Sequence, residues 1–357
     1  MTGKPLVCSG SRSPLQRPAV SRRGGLPGVV VAGVTALLSG LSVFVNSYGV
    51  HSVTAPAVYT TAKNLVATVV LVGGVLAARW WQRLRPDSAA ARFVSVRGIG
   101  VGSGRAGADD VDHDASPVVA LLRWIGLAFV GIVGGGLAFV LFFDGLADTT
   151  ATPAAFMRDS MVIWVAVLAV PFLHERLMWW NVAAIGLLVV GEVVVSGGVG
   201  HLAASRGEVL VLLATLLWAV EVVVIKVLLR DLAPAAVAVV RMGLGAVTLI
   251  AYLMATGSLR ALASLDATQA GWVLLTGLLL SAYVATWMTA LARARALDVT
   301  SILVGSALVT ALLQVAAGTS SMAPQAFGLV LIATGVTAVL WSGLRHPEIA
   351  EPLAVHG

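Results

Sequence analysis

The chain has 357 residues, 58% of them hydrophobic and 11% charged, with a formal charge of +6. A soluble domain carries about 25% charged residues, and no soluble core could hide this much apolar surface, so the composition excludes an ordinary soluble protein and points to an integral membrane protein. Most Lys and Arg flank hydrophobic runs, which argues against a nucleic-acid partner, and the single cysteine, Cys8, excludes an intramolecular disulfide.

Residues 1–27 form a polar, basic arm with Lys4, Arg12, Arg17, Arg22 and Arg23, unlike a cleaved signal peptide. A membrane span needs about 20 apolar residues. Ten such runs follow, at roughly 28–47, 55–77, 118–142, 150–172, 178–197, 208–229, 234–256, 270–292, 299–318 and 325–344. Pro27, Pro56, Pro117, Pro153, Pro234 and Pro324 stand at or just before the first turn of a span, where a missing N–H costs nothing. The connection at 79–117 is long for a compact bundle and contains "RGIGVGSGRAGADDVDHDASP". Its glycines lack the strand and helix that a phosphate-cradling loop requires, so it reads as a flexible linker, and "DDVDHD" reads as a solvated acidic patch.

Lys and Arg set the orientation. Arg79, Arg83, Arg85, Arg92, Arg97, Arg105, Arg176, Arg230, Arg293, Arg295 and Arg345 fall on the same side as the basic arm, and only Arg206 and Arg260 fall on the other. Both termini are therefore expected in the cytoplasm, with the chain in the plasma (inner) membrane.

The second and seventh spans align without a gap at an offset of 178 residues. Ala55 matches Ala233, Pro56 matches Pro234, Lys63 matches Arg241, Val69 matches Val247 and Leu71 matches Leu249. Near the end of each half, Gly191 matches Gly335. The chain reads as two five-span units. Five is odd, so the second unit enters the membrane from the opposite side. The result is an inverted repeat, an architecture of secondary transporters with the substrate site near the midplane. The expected fold class is an all-α integral membrane bundle of ten transmembrane helices in a five-plus-five inverted repeat. Its units are 28–198, interrupted by the loop at 79–117, and 207–345, followed by a cytoplasmic tail at 346–357.

Several motifs carry a family likeness. "LLWAVEVVVIK" (216–226) has the tryptophan-then-lysine pattern of a repeat's first span, and both second spans run from a proline to a cation. "TTATPAAFM" (149–157) and "DVTSILVG" (298–305) give the small-residue and threonine opening of a fourth span. "HERLMWWNVAAIGLLVVG" (174–191) gives a Glu-Arg turn followed by a small residue and a glycine. In this order, and repeated, they resemble the EamA-type transporters of the drug/metabolite transporter superfamily over about 28–345. The second unit departs from the pattern, with Gly318-Thr319 where the counterpart of Glu175 would stand, and neither fourth span has the family's central proline. The resemblance implies a ten-helix carrier, commonly an exporter of amino acids or other small metabolites.

No metal-ligand spacing, Ser/His/Asp elbow or P-loop is present, so no enzyme, cofactor or ATP-driven pump is expected. Ionisable groups at membrane depth are functional candidates by default. The cations are Lys63, Arg158 and Arg241, and the acids are Asp159, Glu192 and Glu221. Arg158 and Asp159 read as a mutually neutralising pair. Lys63 and Arg241 each lie about 10 Å along the helix from their proline. Each either snorkels to the near surface or binds a negative group of the substrate. Glu221, three residues after Trp218 on one helix face, is either a proton-coupling carboxylate or an ion-pair partner, and Glu192 has the same two readings. Tyr283 and Trp287, at i and i+4, form either a substrate wall or an interfacial belt. "GIVGGG" (131–136) reads as close helix packing. The expected function is export of a small amphipathic metabolite, with an amino acid or related carboxylate foremost and the bilayer and that substrate as partners; a homodimer is allowed. The rivals are proton-coupled efflux of lipophilic cations, with Glu192 and Glu221 binding them, and a non-transporting membrane scaffold of the same fold.

Overall fold

The computed structural model describes residues 27–53, 55–84, 117–148, 157–175, 177, 179–195, 205–318 and 326–345. Residues 1–26 of the basic arm, 85–116 of the loop and the tail lie outside the described residues, as do the expectations placed on them.

Every regular element described is helical, as a lipid-facing backbone requires, since a helix satisfies its own N–H and C=O groups. α1 (Gly28–Gly49) passes through a short 3₁₀ turn (Val50–Ser52) to α2 (Pro56–Leu84). α3 is composite, with α-helical Pro117–Ala128, a π-helical stretch over Phe129–Leu137 and α-helical Ala138–Ala147. α4 (Met161–Leu173) and α5 (Trp179–Val195) complete the first half. The second half comprises α6 (Arg206–Leu228), α7 (Pro234–Ala255), a five-residue helix (Leu259–Ala263), α8 (Ala267–Arg293), α9 in two pieces (Ala296–Leu303 and Ser306–Ala316) and α10 (Ala326–Arg345). Eight of these are long and apolar enough to cross a membrane. α4, with 13 residues, and α5, with 17, fall short of the spans expected at 150–172 and 178–197. The residues that would extend them, 150–156 and 196–197, lie outside the described residues.

Helical residues 157–159 and a turn at Ser160 precede α4, and α9 is likewise interrupted at Gly305; neither break is at a proline. Ser160, before α4, has φ −59° and ψ −11°, and Gly305, between the pieces of α9, has φ −59° and ψ −12°.

Contacts at the helix ends define two faces. On the first, the Gln269 side chain at the start of α8 donates to the Ser52 carbonyl (2.9 Å), Arg206 before the body of α6 pairs with Asp148 after α3 (3.1 Å), and Tyr252 near the end of α7 meets Asp144 of α3 (3.1 Å). On the second, Arg123 of α3 pairs with Asp231 after α6 (3.0 Å), and Gly28 at the start of α1 abuts the Arg293–Ala294 backbone at the end of α8. α1 therefore starts at the second face and α6 at the first; α3 and α8 likewise run in opposite directions.

Packing is symmetric under exchange of the halves. α1 packs on α8 and α9, and α6 packs on α3 and α4; α2 packs on α8, and α7 packs on α3. The pairs α2–α7, α4–α9 and α5–α10 map onto themselves. At the α5–α10 crossing a Cβ added to Gly191 would meet the Gly328 carbonyl oxygen (2.8 Å) and Ile332, while one added to Gly335 would meet the Ala184 carbonyl oxygen (3.0 Å) and Leu188. Each contact is the other with partners swapped, which holds only if the two helices cross antiparallel. The main core lies between the halves and includes Ala32, Val222, Met242, Val284, Met288 and Ile302.

Candidate functional site

The two matched cations sit against the third helix of the opposite half. A Cβ at Gly135 of α3 would lie 2.5 Å from the Arg241 carbonyl oxygen, and one at Gly277 of α8 would lie 3.1 Å from that of Lys63. Glycine lets these backbones approach closely. The π-helical register of α3 places Gly134 beside them, where a side chain would overlap the Glu221 carboxylate. π-bulges of this kind often mark functional sites. "GIVGGG" thus packs closely and also makes room for a charged pair.

That pair is Glu221 of α6 with Arg241 of α7. Arg241 Nε donates to Oε1 (2.6 Å) and Nη2 to Oε2 (3.1 Å), a bidentate fork. Glu221 is 1% exposed and Arg241 5%, so the bulk solvent does not screen either charge. Aromatic faces close around them. The Arg241 Cζ stands 5.3 Å from the Trp287 ring centroid and 6.0 Å from that of Phe139. Tyr283 stacks on Trp287 (6.1 Å), and Trp218 Nε1 donates to the Gly134 carbonyl (3.1 Å) while packing on Phe139 and Phe142. The structure thus gathers Arg241, Glu221, Trp218, Tyr283 and Trp287 in one place. Phe139 and Phe142 belong there too; in sequence they are anonymous members of an apolar run.

Lys63 sits apart, in a cluster toward the first face. Its half-buried Nζ donates to Asn46 Oδ1 (3.1 Å) and lies 5.3 Å from the Tyr59 ring centroid. The Tyr59 hydroxyl donates to Thr276 Oγ1 (3.0 Å), which donates to the Trp272 carbonyl (2.7 Å). Among the described residues, no carboxylate is within ion-pair distance of Lys63. The 178-residue offset puts Val43 where Glu221 would have its counterpart. Among the described residues the repeat therefore keeps both cations but pairs only Arg241 with a carboxylate.

Arg158 and Asp159 bond to each other, through Nε (2.9 Å) and Nη2 (2.8 Å) to Oδ1, just before the break at Ser160. Glu192 lies on α5, and its side chain is outside the described residues.

A second charged cluster, at the second face, has no precedent in the sequence reading beyond its motifs. His174 ends α4 in the left-handed conformation (φ 55°), which His tolerates better than most residues. Its N–H and that of Glu175 both donate to the Ala169 carbonyl (3.3 Å for Glu175). The carboxylate of Glu175 then accepts from the Ala296 N–H (2.7 Å) and the Leu297 N–H (3.1 Å) at the start of α9. Burial pushes the Glu175 carboxyl up, and those two N–H groups with the Lys226 charge pull it back. Lys226 of α6 donates to the Leu291 (2.6 Å) and Ala294 (2.5 Å) carbonyls at the end of α8. Arg295 and Asp298, both buried, pair within the turn (2.7 Å). The Trp-then-Lys and Glu-Arg motifs were the signal. What they do emerges only when α4, α6, α8 and α9 meet.

The model of the EamA-like transporter family matches residues 113–197 and 205–341, more than half of the chain. That family is generally non-enzymatic. A solved crystal structure, 16% identical, superposes with a TM-score of 0.65 over 87% of this chain and 97% of its own; at that identity the likeness is one of fold. No curated protein matches the sequence.

Proposed function

We propose an alternating-access cycle for this chain, which belongs to the EamA-like transporter family and so is a membrane transporter of the drug/metabolite transporter superfamily. In this reading the halves are inverted five-helix repeats that rock about the core between them. The exchange-symmetric packing and the opposed directions of α1 and α6 support it. The cargo is a small metabolite with a negative group, an amino acid or related carboxylate, moved outward across the plasma membrane. The second face, which carries Lys226, Arg230, Arg293, Arg295 and Arg345, is the cytoplasmic one by the excess of basic residues.

The observation that carries the substrate class is the unequal treatment of the matched cations. Arg241 already has Glu221 as counter-ion; among the described residues Lys63 has only the neutral Asn46 as hydrogen-bond partner. An ammonium at membrane depth that is held by neutral polar groups favours an anionic ligand. The same fact weighs against lipophilic cations, because Glu221 is committed to Arg241. Uptake into everted vesicles, with a panel of amino acids, other carboxylates, sugars, phosphates and cationic dyes, tests the reading. Carboxylates should accumulate, and Lys63→Met should weaken their binding about 30-fold or more, the lower end of the loss on truncating a charged pair. Accumulation of the dyes alone, or unchanged carboxylate affinity in Lys63→Met, would refute it.

A further inference from the structure

We propose that Glu175 latches the second face shut by gripping the α8–α9 turn across the two halves, while Lys226, from the second half itself, braces that turn in place. The proposal rests on the alternating-access reading. A helix end leaves its terminal N–H and C=O groups without partners. At this turn both sets are taken by side chains from elsewhere. Glu175, from the first half, accepts the N–H groups of Ala296 and Leu297, where the positive end of the α9 dipole favours a carboxylate. Lys226, from α6, donates to the carbonyls of Leu291 and Ala294 at the negative end of α8. Charge-assisted bonds of this kind are roughly twice as strong as neutral ones. The Arg295–Asp298 pair stiffens the turn, so that the two side chains grip one rigid piece. Parting α4 from α9 at this face breaks both Glu175 bonds at once.

The sequence does not repeat either part in the other half. The 178-residue offset takes Lys226 to Tyr48, which has no charge to place against carbonyls, and Gly318-Thr319 replaces Glu175. Among the described residues the packing is symmetric, and this latch is found at the second face alone. The empty carrier therefore rests with the second face closed.

The test uses full-length protein in detergent, without substrate, in a Cys8→Ser background. Ala290→Cys lies fully buried on α8 beneath the turn, and Ala62→Cys lies buried on α2 toward the first face. The readout is the rate of reaction of each with a hydrophilic thiol reagent. Glu175→Ala and Lys226→Met should each raise the rate at Ala290→Cys at least about tenfold and leave that at Ala62→Cys unchanged or lower. If Glu175→Ala does not fold, Glu175→Gln and Lys226→Met carry the same comparison. Unchanged rates, or a parallel rise at both reporters, would overturn the latch and make the cluster a static brace. No substrate enters this assay, so it can fail while carboxylate transport stands, and the reverse.

Discussion

Removing one member of the Glu221–Arg241 pair is expected to do more harm than removing both. Glu221→Met leaves a guanidinium, 5% exposed, among Trp287, Phe139 and Met242 with no counter-ion. Breaking a buried pair from one side costs about 3–5 kcal/mol. Arg241→Met leaves the carboxylate, 1% exposed, against Gly134, and carries a similar cost. The double variant Glu221→Met/Arg241→Met puts two thioethers of comparable bulk in an aromatic surround. Replacing a buried pair by apolar residues is often neutral or stabilising. The three variants should therefore show a coupling of at least about 3 kcal/mol, well above the ~0.5 kcal/mol scatter of independent sites. Unfolding in mixed detergent–SDS micelles, followed by tryptophan fluorescence, gives the three free energies. A double variant as unstable as the two single losses combined would show that the charges do not depend on each other.

Two more expectations follow from the same region. Gly135→Val should prevent α3 and α7 from seating, because its Cβ would lie 2.5 Å from the Arg241 carbonyl oxygen, and should be seen as loss of monodisperse protein on size exclusion. Glu221→Gln, in protein that still folds, separates the two readings of that residue: loss of pH-gradient-driven accumulation with exchange retained would assign it proton coupling, and undiminished accumulation would leave it the ion-pair partner of Arg241 alone.

Most of the helices were legible because apolar runs in lipid admit few other structures. Pro56 and Pro234 mark where α2 and α7 begin, and the paired glycines Gly191 and Gly335 anticipated a shared role that the α5–α10 crossing explains. The fourth and fifth spans were harder to read. Hydropathy does not register a break made by Ser160, or a left-handed turn at His174. Partnership was the least legible layer. The offset aligned Lys63 with Arg241, but which cation holds a carboxylate depends on how α1 and α6 lie against them. The aromatic neighbours Phe139 and Phe142 could not be picked out, because an apolar span shows no sign of which face meets lipid. Glu175 looked like a turn residue, and its bonds join it to a helix 121 residues away.

The swapped contacts at the α5–α10 crossing bear on how the chain is held as one molecule. α5 belongs by covalent continuity to the first half, yet its packing is on α10, the last helix of the second. The two halves are in effect shaking hands, each with its final helix extended to the other. Two separate polypeptides divided between α5 and α6 would carry the helix contacts described above, including α5–α10, α2–α7 and α4–α9, through which to meet in the bilayer. A fused gene of this kind gains a fixed one-to-one ratio of unlike halves, which leaves each half free to diverge, as Lys63 and Arg241 have done in the company they keep.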